Sequence, residues 1–290
     1  PERYYKSVPL PTISTTMIIL SFFANFGTSM SRNIMFTLIT SMTDVTKTTN
    51  NNRNTTRIKS KPEQNETNEI VYDFSWSEMQ QNWVLNAYLA GLLIMTIPSG
   101  YMAYRLGPKN VAAYGGVATI IVNAFSPISA KYSLFLFIFM RFLLGAAVST
   151  VMPSILQIVS NWVPENHRGI ALATISSGSM VGNIVLNIVS SYMIQSYGWA
   201  SVFYLVTILN LFWVGIWIIF VADTPDKHPW IFSDEIEYIK NNLPPRKPAK
   251  GGKQCSVKPP PYHKMIINRS VWVTIVVKMA QNFYYYIAII

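Results

Sequence analysis

The chain has 290 residues, of which 50% are hydrophobic, 13% aromatic and only 12% charged; a soluble globular domain carries about a quarter charged residues, so a water-solvated globule is excluded. The same composition excludes an intrinsically disordered chain, and the single cysteine, Cys255, excludes an intramolecular disulfide framework. The formal charge of +10 does not point to nucleic acid, because the densest basic stretch, Lys240 to Lys264, is broken by Pro and Gly and lies between apolar segments, where it reads as a cytoplasmic membrane loop.

Apolar runs able to cross a hydrocarbon core of about 30 Å, which takes about 20 helical residues, recur along the chain with short polar breaks. The first spans approximately Thr12 to Thr40; it is too long for a cleaved signal-peptide core and lacks a small-residue cleavage site. Within it Asn25, Thr28, Ser29 and Arg32 recur at three- and four-residue steps, drawing one polar stripe that ends in a guanidinium suited to bidentate carboxylate or phosphate binding. The loop that follows, residues 41–76, is rich in Thr and Asn and reads as flexible. It carries two N-glycosylation acceptors, Asn54-Thr55-Thr56 and Asn65-Glu66-Thr67, which are used only on the non-cytoplasmic side.

The second segment runs from Trp83 to Tyr104 and the third from Asn110 to Ala130. The fourth, Ser133 to Trp162, contains Arg141, with Gly145, Val148 and Met152 on the same helical face. The fifth, Gly169 to Gln195, places Ser176, Ser179, Asn183, Asn187 and Ser190 within an arc of about 80°, at about 100° per residue. Such a face wants water or other helices rather than lipid, which leaves both cavity lining and helix–helix hydrogen bonding open. Gly178 and Gly182 form a small-xxx-small pair that reads as close packing. The sixth segment is Trp199 to Ala222, and Trp83, Trp162 and Trp199, near segment ends, read as membrane-interface anchors.

A polar connection, residues 223–268, follows; in it Ser233 is placed to cap a short cytoplasmic helix, with Asp234 and Glu235 at its positive end and Lys240 at its negative end. A seventh apolar segment, within 269–290, opens near Val271 and is still running at Ile290. Together with Pro1 in place of Met, this predicts a fragment: an N-terminal six-helix bundle over residues 1–222 and the start of a second.

Of the 23 Lys and Arg, fourteen fall on the side that holds the amino terminus, six on the other, and three, Arg32, Arg141 and Lys278, inside apolar segments. The excess places the amino terminus in the cytoplasm, where a third acceptor sequence, Asn268-Arg269-Ser270, stays unmodified. The three internal cations are costly, at about 2.5 kcal/mol or more each, and mark a pathway or ligand site. All thirteen Asp and Glu and all three His can be placed in loops or at segment ends. Compensation must come from elsewhere, and a transported anion is the leading candidate. Carbonyls of neighbouring helices, or carboxylates from the rest of the protein, are the alternative for Arg32 and Arg141; Lys278 lies near the start of its segment and can snorkel to the interface.

The connection Gly100-Tyr101-Met102-Ala103-Tyr104-Arg105-Leu106-Gly107-Pro108-Lys109 resembles the loop signature of the major facilitator superfamily. It is joined by Arg141 with Gly145, by Asn161-Trp162-Val163-Pro164-Glu165-Asn166-His167-Arg168, by Gly198-Trp199 with Phe203-Tyr204, and by Thr224-Pro225-Asp226-Lys227-His228-Pro229. In this order the motifs resemble the anion:cation symporter family, which includes vesicular glutamate transporters, sialin and type I sodium-phosphate cotransporters. The resemblance implies an all-α membrane protein of the major facilitator fold, with two six-helix bundles around a central anion site and alternating access.

By the same resemblance Arg32 and Arg141 match the first- and fourth-helix arginines of the substrate pathway. With the polar stripes they give a candidate substrate-binding set of Arg32, Arg141, Asn25, Ser29, Asn183 and Asn187, and a gating loop of Gly100, Arg105, Gly107 and Lys109. The chain departs from the family pattern where glutamate-transporting members carry an acid and a histidine, having Val148 and Leu85 there. Their seventh-helix arginine aligns with Gln281, and the superfamily's loop Asp aligns with Tyr104, which questions how firmly the inward gate is latched. Neither Val148 nor Leu85 can titrate, so sodium coupling is expected ahead of proton coupling.

The expected function is a symporter of inorganic phosphate or a small organic anion, in the plasma membrane or a lysosomal or vesicular membrane. Its partners are the anion and the lipid bilayer, not nucleic acid. No cofactor is expected beyond Na+ as coupling ion, and no resident metal. A non-transporting degenerate paralogue is one alternative. A seven-helix receptor is another, but it would need its amino terminus outside, against the charge bias. An intramembrane enzyme is disfavoured because no Ser-His, paired-Asp or metal-ligand cluster lies in the apolar segments.

Overall fold

The computed structural model describes residues 12–42, 74, 76–228, 268–270, 272–273, 276–277 and 280. The sequence expectations at Asn54, Asn65, Ser233, Lys278 and Gln281 lie outside these residues. The chain forms two compact units, Pro1–Pro244 and Pro245–Ile290; in the second, every described position from Arg269 onward is helical.

The first unit is all helix among its described elements: α1 Thr12–Met42, α2 Glu78–Leu106, α3 Pro108–Tyr132, α4 Leu134–Val148, α5 Val151–Trp162, α6 Glu165–Tyr197 and α7 Trp199–Phe220. With α4 and α5 counted as one span, six are long and apolar enough to cross a membrane. Leu93, Ile97, Phe135, Ile188 and Phe212 are exposed around the bundle, as a lipid-facing surface requires.

Helix starts lie further out than the apolar runs suggest, because local start signals rather than hydropathy set them. α2 begins at Glu78 through a capping box: the Gln80 N–H donates to Ser77 Oγ and the Ser77 N–H to Gln80 Oε1. α3 starts with Pro108 at its first position, where a missing N–H costs nothing. α6 starts at Glu165 rather than Gly169, and Arg168 ties it back to α5 by donating to the carbonyls of Val163 and Ser160, each at 3.1 Å.

The fourth span is not continuous. Pro153 has no N–H to offer the carbonyl of Ser149, the chain turns at Ser149-Thr150, and that carbonyl accepts from Ser99 Oγ of α2 at 3.2 Å. The break turns Met152 off the face of Arg141, where the sequence periodicity put it, and leaves it 40% exposed. The tryptophan assignments also divide. Trp83 is 61% exposed, whereas Trp162 is fully buried and Trp199 is 7% exposed, so these two are core residues and not interface anchors. Trp162 Nε1 donates to the Ala222 carbonyl at 2.9 Å, which satisfies the indole inside the protein.

α1 packs on α6 and α7, α2 on α4, and α3 on α4, α5 and α7. Glycines set the two closest pairings. A Cβ at Gly91 would run into the Phe142 carbonyl, and one at Gly145 into the Tyr88 carbonyl, so α2 and α4 cross backbone to backbone. Gly178 and Gly182 likewise bring α6 against the Phe22 and Phe26 carbonyls of α1, the close packing expected of that pair.

Candidate anion site

The polar stripe of α1 meets that of α6. Asn25 Nδ2 donates to the Ile175 carbonyl at 2.9 Å, Ser29 Oγ to Asn183 Oδ1 at 2.8 Å and to the Ser179 carbonyl at 3.0 Å, and Thr37 Oγ1 to Asn187 Oδ1 at 2.9 Å. Asn33 Nδ2 also donates to Asn183 Oδ1. Asn25, Ser29, Asn183 and Asn187 are therefore brought together as a hydrogen-bonded seam, the helix–helix role left open by the sequence. The seam ends in Arg32, whose Nη2 donates to Ser179 Oγ at 2.9 Å and approaches Ser29 Oγ at 3.4 Å.

Arg32 then reaches past the seam into a narrow cavity of about 10 Å³ shared with Met35, Phe36, Val84, Leu85, Tyr88 and Arg141. That is near the lower limit for a single water. The structure thus places the two predicted arginines on the same cavity. Arg141 is 1% exposed, and its Nε and Nη2 have no acceptor among the described residues. Its Cζ lies 4.9 Å from the ring centre of Phe137 and 5.0 Å from that of Phe203, so aromatic faces partly compensate the charge. Neither guanidinium meets a carboxylate: among the described residues the one ion pair is Arg168 with Glu165, at 3.6 Å.

The predicted gating loop is a built junction. The Lys109 N–H at the start of α3 donates to Asp223 Oδ1 at 2.9 Å. Gly107 sits at φ 91°, and a Cβ there would lie 2.9 Å from both carboxylate oxygens of Asp223. Asn161 Nδ2 donates to the Asp223 carbonyl at 2.9 Å and Trp217 Nε1 to the Lys109 carbonyl at 3.2 Å. With Tyr104 where the superfamily has its acid, Asp223 supplies a carboxylate to this loop from beyond the end of α7. Arg105 lies over the Tyr101 ring at 5.3 Å, and a Cβ at Gly100 would meet nothing within 4 Å.

Six membrane-length helices with apolar residues exposed around them, and two guanidiniums on one internal cavity without an ion pair among the described residues, define a multi-pass helical membrane protein. The chain belongs to the Major Facilitator Superfamily, whose family model matches residues 21–290. It is 27% identical to sialin of Ovis aries over 98% of this chain and 57% of that protein. It is also 27% identical to the sodium-dependent phosphate transport protein 1, chloroplastic, of Arabidopsis thaliana, over 61% of this chain and 35% of that protein. These relatives fit the anion:cation symporter resemblance. The inward-open xylose transporter XylE of E. coli shares the fold, with a TM-score of 0.57 at 14% identity over 79% of this chain and 52% of that one. The chain spans about half the length of the sialins it matches, 57% and 54%.

Sequence reasoning missed Tyr88, Gly91, Phe137, Phe203 and Asp223. Tyr88 had a usable signal, since it lies three residues from Leu85 and so shares its helical face. Phe137 bears the same one-turn relation to Arg141, but Phe203, quoted only as part of a family motif, and Asp223 arrive from distant segments, and no local spacing ties them to the site.

Proposed function

We propose that the protein is a secondary active transporter of an oxoanion, inorganic phosphate or a small organic anion, working by alternating access. One observation carries this reading: Arg32 and Arg141 line the same cavity, and among the described residues no carboxylate pairs with either. Two cations that gain nothing from each other are a costly arrangement in a membrane bundle unless an anion visits them. The cavity holds no more than about one water, so an anion enters only when the walls part, which the rocking of a two-bundle carrier supplies.

Coupling is to Na+ in this reading. Leu85 is on the cavity wall and Val148 is buried in the core of α2, α3 and α4, so the two positions where glutamate-transporting members carry titratable groups hold no proton here. The membrane is that of the cell surface or of a lysosomal or vesicular compartment, with the amino terminus in the cytoplasm.

The test is uptake of radiolabelled phosphate, glutamate, sialate and urate by the complete protein, with and without a sodium gradient. One of the four is taken up, faster with sodium outside. If Arg32→Ala leaves uptake of every transported anion unchanged, the site is wrong. If none is taken up under either condition, the non-transporting paralogue replaces the carrier.

A further inference from the structure

The cavity wall consists of four apolar side chains, Met35, Phe36, Val84 and Leu85, and three polar ones, Arg32, Arg141 and Tyr88. Two of the polar three are accounted for by the reading above; Tyr88 is not. It is 5% exposed, and its hydroxyl is buried without a hydrogen-bond partner among the described residues. A buried phenol left unpaired forfeits the bonds it made to water, so its place in a fold needs a reason.

The backbone that carries the ring is tightly fixed. The Tyr88 carbonyl sits where a Cβ of Gly145 would be, and three residues further along α2 Gly91 has the same relation to the Phe142 carbonyl, the residue after Arg141. The α2–α4 crossing therefore clamps the Tyr88 backbone one helical turn from Arg141 on the facing helix. The crossing fixes the backbone, and the hydroxyl has no hydrogen bond of its own among the described residues, which leaves the donor ready for a ligand.

We propose that the Tyr88 hydroxyl is the third ligand of the anion site, donating a hydrogen bond to an oxygen of the carboxylate or phosphate group that Arg32 and Arg141 hold. The inference rests on the anion reading of the two arginines and adds the neutral donor to it. A phenol suits this place: it supplies a directional bond to an oxygen acceptor without a third positive charge, which would hold the anion too firmly to release it. It also accounts for the third polar group in a wall that is otherwise apolar.

The experiment uses Tyr88→Phe in the complete protein, which removes one oxygen and keeps the ring, with Arg32→Lys and Arg141→Lys alongside. Uptake kinetics and thermal midpoints are measured with phosphate, glutamate, sialate and urate. The expected result for Tyr88→Phe is a KM for the transported anion raised about tenfold with little change in maximal rate. The midpoint without anion is unchanged or higher, because an unpaired polar group has been removed, and the rise produced by anion is smaller.

A Tyr88→Phe protein with unchanged KM and unchanged anion stabilisation overturns the proposal. So does one whose midpoint without anion falls while KM holds, since the hydroxyl is then bonded within the protein. If the arginine variants lose affinity and Tyr88→Phe does not, only the third ligand is wrong. If all three variants match the wild type, or the wild type responds to none of the four anions, the anion reading falls with it.

Discussion

Replacing Arg141 by methionine is expected to make the empty protein more stable while removing its response to anions. The guanidinium is 1% exposed, and Nε and Nη2 lack acceptors. Two buried donors left unpaired cost about 1–3 kcal/mol each, or about 4 together. The contacts with Phe137 and Phe203 return about 1 kcal/mol each. Methionine fills a similar volume and packs well against aromatic rings, so the balance favours Arg141→Met by about 2 kcal/mol. For a helical unit of this size that is a rise in the thermal midpoint of about 4–8 °C. Loss of a charge-assisted bond set to the anion lowers uptake by about 100-fold or more. Thermal scans of the purified protein and radiolabelled phosphate uptake measure the two effects. A midpoint that drops by several degrees with uptake intact would refute the reasoning, because Arg141 would then be satisfied inside the protein and serve its packing.

Four further substitutions address the scaffold. Gly107→Ala forces a side chain onto φ 91° and against the Asp223 carboxylate, which costs about 1–3 kcal/mol and reads out as a lower midpoint; Asp223→Ala removes the acceptor of the Lys109 N–H and costs about 1 kcal/mol. Gly145→Val drives α2 off α4 at Tyr88 and lowers the midpoint by the equivalent of about 1–3 kcal/mol or more, with a raised KM in whatever protein folds. Asn183→Leu strips the acceptor shared by Ser29 and Asn33, at about 0.6 kcal/mol per bond, and leaves Ser29, against which Arg32 leans, bonded across the seam to Ser179 alone; KM rises while the α2–α4 half of the site is unchanged.

The fold was legible because a bilayer imposes a length scale: each of the six spans is an apolar run of sufficient length, and the motifs from Gly100 to His228 fix their order. The ends were less legible. Ser77 with Gln80 is a capping box and Glu165 an acid in a first turn, and both precede the apolar runs, so a hydropathy reading starts both helices late. Pro153 was a visible breaker, but its effect depends on Ser99 of another helix taking up the freed carbonyl. Of the site, Arg32 and Arg141 were found because a charge in an apolar run is conspicuous. Tyr88 was passed over, although it shares the face of Leu85, because a tyrosine in such a run is ordinary; only the fold shows that its hydroxyl lacks a partner among the described residues. Trp162 and Trp199 were misplaced for the same reason, since nothing local distinguishes a buried indole from one at the interface.

The two arginines belong to different packed pairs. Arg32 is fastened by Ser179 to the α1–α6 seam, and Arg141 rides on α4, locked to α2 by Gly91 and Gly145. α1 touches α2 and α4 far less than it touches α6, so the distance between the two cations is the least constrained dimension of the cavity. An oxoanion that bridges them would cross-link the pairs, and the two side chains would then act as a unit. Groups that act as a unit give losses that do not add. Arg32→Lys and Arg141→Lys keep the charge and lose the bidentate fork, so both remain measurable. Each single variant is expected to raise KM for the transported anion by about tenfold, and the double variant by much less than the product, a coupling of about 1 kcal/mol or more. Losses that multiply would mean that the arginines bind separate anions or act on separate steps, and a shared site would be ruled out.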